Sequence, residues 1–311
     1  MTQTPLPVIL LAGPTASGKT ALAIRLARTL DGEIINADSM QIYEGLRILS
    51  ARPDAAEQAG IPHHLFGVLD PSERASVGWW AREALQLIDD IRARGKRPVI
   101  AGGTGLYFNA LTHGLAAMPE ISGAVREQAD AIEAKGADAL LAAARKWDSD
   151  AVARIEPADL QRLRRVVEIG LETGEPITKL QRETTPLLPE DDWTGLVIDP
   201  DRAELYARID ARFDRMMAEG ALEEARALAS RGLDENLPAM KALGVPPLIA
   251  AARDEMSLEA AIAQSKQDSR RYAKRQMTWF RNRMADWQRI SFPIGQVSDE
   301  DLISRTGLAG E

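Results

Sequence analysis

Residues 7–20 read Pro-Val-Ile-Leu-Leu-Ala-Gly-Pro-Thr-Ala-Ser-Gly-Lys-Thr, and this stretch decides the fold. Val8–Leu11 form an unbroken apolar run, which is typical of a strand buried on both faces. Residues 13–20 match the P-loop pattern, Gly-x4-Gly-Lys-Ser/Thr, and the apolar residues after them indicate a helix. The order of strand, glycine-rich turn and helix predicts an α/β fold with a P-loop NTPase-like parallel sheet flanked by helices.

The same loop predicts a site for a phosphate or diphosphate. Its backbone N–H groups converge on an anion, and the helix N-terminus adds about half a unit of positive charge. Lys19 supplies a full charge, and the Thr20 hydroxyl is a candidate Mg²⁺ ligand. The predicted diphosphate-binding residues are Gly13, Pro14, Thr15, Ala16, Ser17, Gly18, Lys19 and Thr20.

Composition narrows the class of protein. The 311 residues include no cysteine, which excludes disulfides, cysteine zinc sites and thiol nucleophiles. No apolar run approaches the ~20 residues that span a membrane, and the N-terminus lacks a signal-peptide pattern. We therefore expect a cytoplasmic protein that does not contact a membrane. The net charge of −8 argues against indiscriminate nucleic-acid binding but permits a local basic groove.

Two further strand ends carry polar residues. A second strand, predicted over 33–37, ends in Asp38-Ser39-Met40-Gln41, and ligands of such sheets lie beyond the carboxyl ends of strands. Asp38 therefore ligates Mg²⁺, accepts a substrate proton or caps a helix. A strand over 98–101 ends in Gly102-Gly103-Thr104-Gly105, where many P-loop NTPases have an aspartate. These glycines either admit a ligand close to the backbone or form a tight strand-to-helix turn.

The sheet is interrupted by a helical insertion. From Met118 the chain becomes charged, alanine-rich and helical in pattern, and a strand-like run returns only at Thr194. We expect a core domain from residues 1–117 and 194–311 and an all-helical insertion domain from 118–193. Within it, residues 161–165 place Leu163 toward a core and project arginines away, as either an RNA contact or a solvated helix face.

The C-terminal region reverses the charge of the chain. A long helix is predicted over 258–287, and residues 266–289 carry eight Lys/Arg against two Asp, a net +6. Aromatic residues are interleaved with these charges, which suits phosphate contact and base stacking. The alternative is an amphipathic helix with its aromatics inside and its charges in solvent.

Taken together, these motifs resemble the bacterial tRNA dimethylallyltransferase family over almost the whole chain. The P-loop alone is unspecific, but the ordered set is highly specific. The matching segments are Gly-Pro-Thr-Ala-Ser-Gly-Lys-Thr at 13–20, Asp-Ser-Met-Gln-Ile-Tyr at 38–43, Pro-His-His at 62–64, Gly-Gly-Thr-Gly-Leu-Tyr at 102–107, Arg-Ile-Asp-Ala-Arg at 208–212, Ala-Lys-Arg-Gln at 273–276 and Thr-Trp-Phe-Arg at 278–281.

The resemblance implies a reaction and its partners. The enzyme would move a dimethylallyl group from dimethylallyl diphosphate to N6 of the adenosine immediately 3′ of the anticodon, with Mg²⁺ as cofactor. The acceptors would be tRNAs that read codons beginning with U, bound through the anticodon stem-loop by a monomer. The implied catalytic residues are Lys19 and Arg212 on the diphosphate, Asp38 on the N6 proton and Thr104 on the target nucleotide.

The resemblance, together with the basic helix, also implies a set of tRNA-binding residues. They are Asp38, Ser39, Met40, Gln41, Thr104, Arg126, Gln161, Arg162, Leu163, Arg164, Arg165, Met240, Lys241, Ala242, Leu243, Gly244, Val245, Arg271, Lys274 and Arg275. The chain departs from the family in two places. Residues 49–53 read Leu-Ser-Ala-Arg-Pro where Gly-Thr-Ala-Lys-Pro is usual, and Val245 stands where tyrosine is usual.

Two other functions share some of these features. A small-molecule kinase also has a P-loop, Mg²⁺ and an acidic residue after the second strand, but it needs no basic aromatic helix. An RNA-binding NTP switch lacks chemistry on the base, and the missing strand-end aspartate argues against it.

Overall fold

The computed structural model describes residues 6–116, 118–182, 184–291, 295 and 297–307. Its centre is one parallel sheet whose strands run in the order β3-β2-β4-β1-β5-β6. The strands are β1 (Val8–Ala12), β2 (Gly32–Asn36), β3 (His63–His64), β4 (Arg97–Gly102), β5 (Trp193–Asp199) and β6 (Gln288–Ser291). The predicted α/β class is confirmed, and β1 lies between β4 and β5 with every residue buried.

Thirteen α-helices occur in the described part of the chain. They are α1 (Lys19–Thr29), α2 (Val77–Ala93), α3 (Gly105–His113), α4 (Gly123–Glu133), α5 (Ala137–Trp147), α6 (Ser149–Val152), α7 (Leu160–Thr173), α8 (Ile177–Arg182), α9 (Arg202–Ala218), α10 (Ala221–Ala229), α11 (Val245–Ala252), α12 (Leu258–Arg283) and α13 (Asp299–Thr306). Short polar side chains cap several of them, as Ser257 does by accepting a hydrogen bond from Ala260 N at the start of α12. None of the helices in these described segments is both long and apolar enough to cross a lipid bilayer.

The chain packs as two compact units. One comprises residues 1–110 and 188–311, and the other is Leu111–Leu187. The second unit contains α4 to α8 around an apolar core that includes Leu140, Leu163 and Val167. A 2.9 Å hydrogen bond from Leu187 N to Leu111 O joins the two ends of this unit, which overlaps most of the 118–193 expected from composition.

The prediction for the last long helix was wrong at its C-terminus. The helix α12 ends at Arg283, and Met284 leaves helical geometry with φ −133°. The chain then enters β6, a strand that the sequence analysis missed, and β6 extends the sheet beyond β5. Trp287 was read as part of the helix because it continues the aromatic spacing, but it packs on Gly195 of β5.

The edge strand β3 was also missed, because many turn-forming residues surround it. It adds two residues beside β2, and His64 Nε2 lies 2.7 Å from Glu33 Oε2. Hydrogen bonds with the Arg94 guanidinium and with His64 hold the pKa of Glu33 below its usual range, against burial, which raises it. These contacts tie the edge of the sheet to the end of α2.

Candidate active site

The carboxyl ends of β1, β2 and β4 lie at one edge of the sheet, beside a cavity of about 270 Å³. Ten of the predicted site residues line it: Thr15, Ala16, Asp38, Ser39, Met40, Arg212, Lys241, Ala242, Leu243 and Arg275. Residues from five separate parts of the sequence thus meet at one place. A concave site with a few polar groups among apolar ones is the usual form of a ligand pocket.

The P-loop (residues 13–20) has the expected conformation for holding an anion. Gly18 has φ +85°, and α1 begins at the next residue. A second pocket opens onto this loop, and four cationic side chains contribute to its lining: Lys19, Arg208, Arg212 and Arg215. The convergence of these charges on a helix N-terminus creates a site for a multiply charged anion.

Burial shapes the charges of this site. Burial lowers the pKa of Lys19 to about 8, although the nearby Asp38 carboxylate favours the charged ammonium and opposes this shift. Burial likewise lowers the pKa of Arg212 to about 10, which leaves the guanidinium charged at neutral pH. Arg212 also reaches the P-loop, since its Nη1 donates to Thr15 Oγ1 over 3.4 Å. Partial burial disfavours the charge of both cations, and a bound anion would offset that cost.

Asp38 lies in a turn two residues after the end of β2. Its Oδ1 accepts a 3.0 Å hydrogen bond from Met40 N, and its own N–H donates to Asn36 Oδ1 at 2.8 Å. The helix N-cap alternative is wrong, because no helix begins here. The carboxylate instead lies on the cavity wall. Burial first, and Asp38 second, raise the pKa of the Tyr272 phenol, which therefore stays neutral.

The glycine turn (residues 102–105) holds the Asp38 turn (residues 38–41) from the side. Thr104 N donates to Ala37 O at 3.0 Å, and Thr104 Oγ1 accepts from Ser39 N at 3.0 Å. The Thr104 hydroxyl therefore already has a backbone partner. This turn also lies against the P-loop, because Gly13 N donates to Gly102 O at 3.2 Å.

Several predicted tRNA-binding side chains face inward, Leu163 as its helical pattern predicts and the others contrary to expectation. Gln41 is buried, and its Nε2 donates to Ser50 O at 2.9 Å and to Ala51 O at 3.0 Å. Its amide therefore fixes the neighbouring loop. Three more are packed in apolar cores, which removes their side chains from direct RNA contact: Leu163, Met240 and Val245.

In the helical unit, the other predicted tRNA-binding residues lie at the surface. Arg126, Gln161 and Arg162 are exposed. Arg164 is different, since its guanidinium forms ion pairs with three carboxylates: Asp130, Glu133 and Glu168. These ion pairs leave Arg164 little charge to attract an RNA phosphate, whereas Arg126, Gln161 and Arg162 remain accessible.

On α12 the three predicted basic residues form one exposed face, which we call the basic face: Arg271, Lys274 and Arg275. The Arg275 guanidinium lies 5.6 Å from the centroid of the Tyr272 ring. Two other cations of the helix are paired with α9, Lys266 with Asp214 and Arg270 with Asp210. The positive charge is thus divided between a face packed on α9 and a face open to solvent.

Two kinds of site residue were not predicted from the sequence. One is an apolar wall contributed by Leu49, Ile209, Phe213 and Met216. The other is a pair of polar residues on α12: Tyr272, which lines the cavity, and Gln276, which accepts a hydrogen bond from Thr15 N of the P-loop. Helical spacing could have indicated Gln276, because it lies on the same buried face of α12 as Ala273 and Phe280. A polar side chain buried there needs a hydrogen-bond partner.

Comparisons with family models and with curated proteins point to the same family. The IPP transferase family model matches residues 41–283, and the isopentenyl transferase model matches residues 6–64. A tRNA dimethylallyltransferase of Maricaulis maris (strain MCS10) is 55% identical over 299 residues, which is 96% of each chain.

Solved structures agree. The full-length tRNA isopentenylpyrophosphate transferase of Bacillus halodurans is 36% identical, with a TM-score of 0.66 over 92% of this chain and 89% of its own. A eukaryotic dimethylallyltransferase described as acting on tRNA is 28% identical, with a TM-score of 0.78 over 94% and 75% of the two chains. By family model, sequence identity and coverage, the chain belongs to the IPP transferase family.

Proposed function

We propose that the chain transfers a dimethylallyl group from dimethylallyl diphosphate to N6 of the adenosine immediately 3′ of the anticodon, in tRNAs that read codons beginning with U. One observation carries this function. A single cavity joins the P-loop and Arg212 to Asp38 and to an apolar wall. The cations suit the diphosphate, the wall suits the five-carbon chain, and Asp38 lies between the two.

The residues divide the reaction between donor and acceptor. The adenine N6 nitrogen forms a bond to the allylic carbon while the bond from that carbon to the diphosphate oxygen breaks. The electron pair leaves with the diphosphate, which Lys19, Arg212 and the P-loop backbone stabilise. The N6 proton passes to the Asp38 carboxylate. Because tRNA stacks this base in the anticodon loop, the enzyme extrudes it into the cavity.

Mg²⁺ fits the residues at the P-loop. Thr20 contributes to the lining of the cationic pocket, and Ser17 Oγ is buried with no hydrogen-bond partner among the described residues. Mg²⁺ keeps several waters and takes a few protein ligands together with substrate phosphates. Thr20 and the donor diphosphate would hold it, and it would neutralise charge on the leaving group.

The acceptor is bound through its anticodon stem-loop. We assign the basic face of α12 to phosphate contact, and Lys241 and Leu243 to the mouth of the cavity, which they line. Arg126, Gln161 and Arg162 supply further exposed contacts from the helical unit. We further propose that the enzyme acts as a monomer in the cytoplasm.

The kinase alternative is separated from transfer by one assay. Purified protein, Mg²⁺ and bulk tRNA are supplied with labelled dimethylallyl diphosphate or with ATP. Label in RNA, with release of diphosphate that requires tRNA, supports the proposal. Phosphate release from ATP above background, without label in RNA, overturns it. The family relationship favours the first outcome, because the relatives described above bear names of tRNA-modifying transferases.

Diphosphate binding is expected to weaken as pH rises through about 8, the pKa of Lys19 in the free protein. The anion favours protonated Lys19, so its affinity is full below this pKa and falls above it. Stability changes in the opposite sense. An unfolded lysine keeps its proton to about pH 10.4, so between the two values the folded protein binds fewer protons and this group makes folding more favourable as pH rises.

Calorimetric titration with inorganic diphosphate at fixed Mg²⁺ tests this pH dependence. The control is Lys19→Arg, whose charge does not titrate in this range, and its profile is expected to be flatter. A wild-type affinity that stays constant from neutral pH to well above the Lys19 pKa contradicts the assignment.

The basic face is expected to contribute affinity that does not depend on RNA sequence. Each of the substitutions Arg271→Ala, Lys274→Ala and Arg275→Ala should reduce the salt slope of tRNA binding by about 0.7–0.9, because each phosphate contact releases condensed counterions. Filter binding over a range of salt measures the slope. Arg226→Ala, an exposed arginine on α10, is the control. Unchanged slopes in all three variants mean that the face is merely solvated.

A further inference from the structure

Gln276 makes two hydrogen bonds that join two loops of the site. Its Oε1 accepts from Thr15 N at 2.9 Å, and its Nε2 donates to Gly103 O at 2.8 Å. The residue is only 5% exposed. A single buried amide therefore satisfies a donor of the P-loop and an acceptor of the glycine turn, which lie 88 positions apart in the chain (103 minus 15).

The glycine turn is built for this close approach. A Cβ atom at Gly103 would lie 2.3 Å from Gln276 Nε2, and one at Gly105 would lie 2.1 Å from Trp279 Nε1. Any side chain at these two positions would displace the Gln276 amide or the Trp279 ring from its present place. These glycines, interpreted from the sequence as either a ligand approach or a tight turn, thus leave room for side chains of α12.

The connection continues to the acceptor side of the cavity. Gly103 precedes Thr104, whose N–H and hydroxyl hold Ala37 O and Ser39 N, the residues on either side of Asp38. On the other side, Thr15 follows Pro14 in the loop that cradles the diphosphate and also meets Arg212. The two hydrogen bonds of Gln276 therefore connect α12 to the P-loop, which would hold the donor diphosphate, and through Thr104 to the Asp38 turn, which would face the acceptor adenosine.

We propose that Gln276 is a positioning residue that holds the P-loop and the glycine turn in register, so that N6 and the departing diphosphate stay aligned. This inference rests on the proposed function. Displacement at an attacking geometry is sensitive to small errors, and 1 Å costs as much as about 10²-fold. The link also starts from the helix that carries the basic face, and it acts without touching substrate.

Two variants test it. Gln276→Leu keeps the approximate volume and removes both bonds, and we expect kcat to fall about 10- to 10²-fold. The salt slope of tRNA binding should not change, because the residue is buried and uncharged. Gln276→Glu retains the acceptor for Thr15 N but faces Gly103 O with a carboxylate. When protonated, Glu donates as Gln does, so this variant should regain activity relative to wild type as pH falls.

Two further measurements distinguish a positioning defect from instability of the variant and from failure of the proposed function. Melting temperatures show whether the variants are folded at the assay temperature. Hydrogen exchange with inorganic diphosphate and Mg²⁺ needs no turnover: in wild type, protection should spread from residues 13–20 to 103–105, and in Gln276→Leu it should stop at the P-loop. A folded Gln276→Leu with wild-type kcat, or with protection at both loops, overturns the inference, whether or not wild type modifies tRNA.

Discussion

Asp38→Asn is expected to lower kcat by about 10²–10⁴-fold, the usual contribution of general-base catalysis. The exocyclic amine of adenine is a poor nucleophile because its lone pair is delocalised into the ring, and it improves as its proton leaves. Asparagine retains the oxygen that accepts from Met40 N, so the turn should persist. The melting temperature and the affinity for tRNA should therefore change little.

The measurement separates this role from the Mg²⁺-ligand alternative. Single-turnover rates with saturating donor and tRNA report the chemical step, and a separate titration reports donor affinity. Weak donor binding that recovers at raised Mg²⁺ identifies a metal ligand instead. Asp31→Asn, at the exposed residue preceding β2, is the matched control and should behave as wild type. A stable Asp38→Asn with near-normal kcat contradicts the role of base.

Lys19→Ala is expected to lower kcat/KM for the donor by about 30- to 4,000-fold. The substitution removes a cation that is buried beside the P-loop, and loss of one partner of a desolvated charge pair costs about 2–5 kcal/mol. The free protein should be no less stable, because the buried ammonium is itself disfavoured. This combination of lost donor use and retained melting temperature is specific to a ligand-binding charge.

Donor kinetics and thermal melting of the same preparation test it. Arg28→Ala, an exposed cation on the same helix, supplies the control and should leave donor kinetics unchanged. Wild-type kcat/KM for the donor in Lys19→Ala would mean that the P-loop does not hold the diphosphate.

The parallel sheet and the sheet edge that carries the candidate site were predicted from local sequence, whereas the order of the strands was not. The apolar run before Gly13 could only be buried on both faces, and strand ends with Asp38 or with glycines mark the ligand edge of a parallel sheet. The helical insertion followed from a long stretch without strand patterns. These features are local in the chain, and so a single sequence shows them.

What sequence did not show depends on tertiary contact. The edge strands β3 and β6 are short and pair at one side only, so they carry no alternating pattern of their own. The burial of Gln41, predicted to bind tRNA, and of Gln276, named only within a family segment, could not be predicted, because a buried amide is indistinguishable in sequence from an exposed one. Their partners, Ser50 O and Gly103 O, are backbone atoms that no side-chain pattern encodes.

The loop at Leu49–Pro53 shows how a departure from the family pattern is accommodated. The carboxylate of Glu224 accepts the backbone N–H groups of residues 47, 48 and 49, and Gln41 holds the carbonyls of residues 50 and 51. On the side of the loop, only backbone atoms take part in these bonds, so its side chains can differ from the family pattern without breaking them. Leu49 is then free to join the apolar wall of the cavity.

The position of the transferred group in tRNA tests the central claim most directly. Bulk tRNA lacking the modification is incubated with enzyme, Mg²⁺ and dimethylallyl diphosphate, digested with nucleases and analysed by mass spectrometry. We expect adenosine immediately 3′ of the anticodon to carry one dimethylallyl group in place of an N6 hydrogen, with one diphosphate released for each group. Modification elsewhere, or diphosphate release without modified adenosine, would contradict the account.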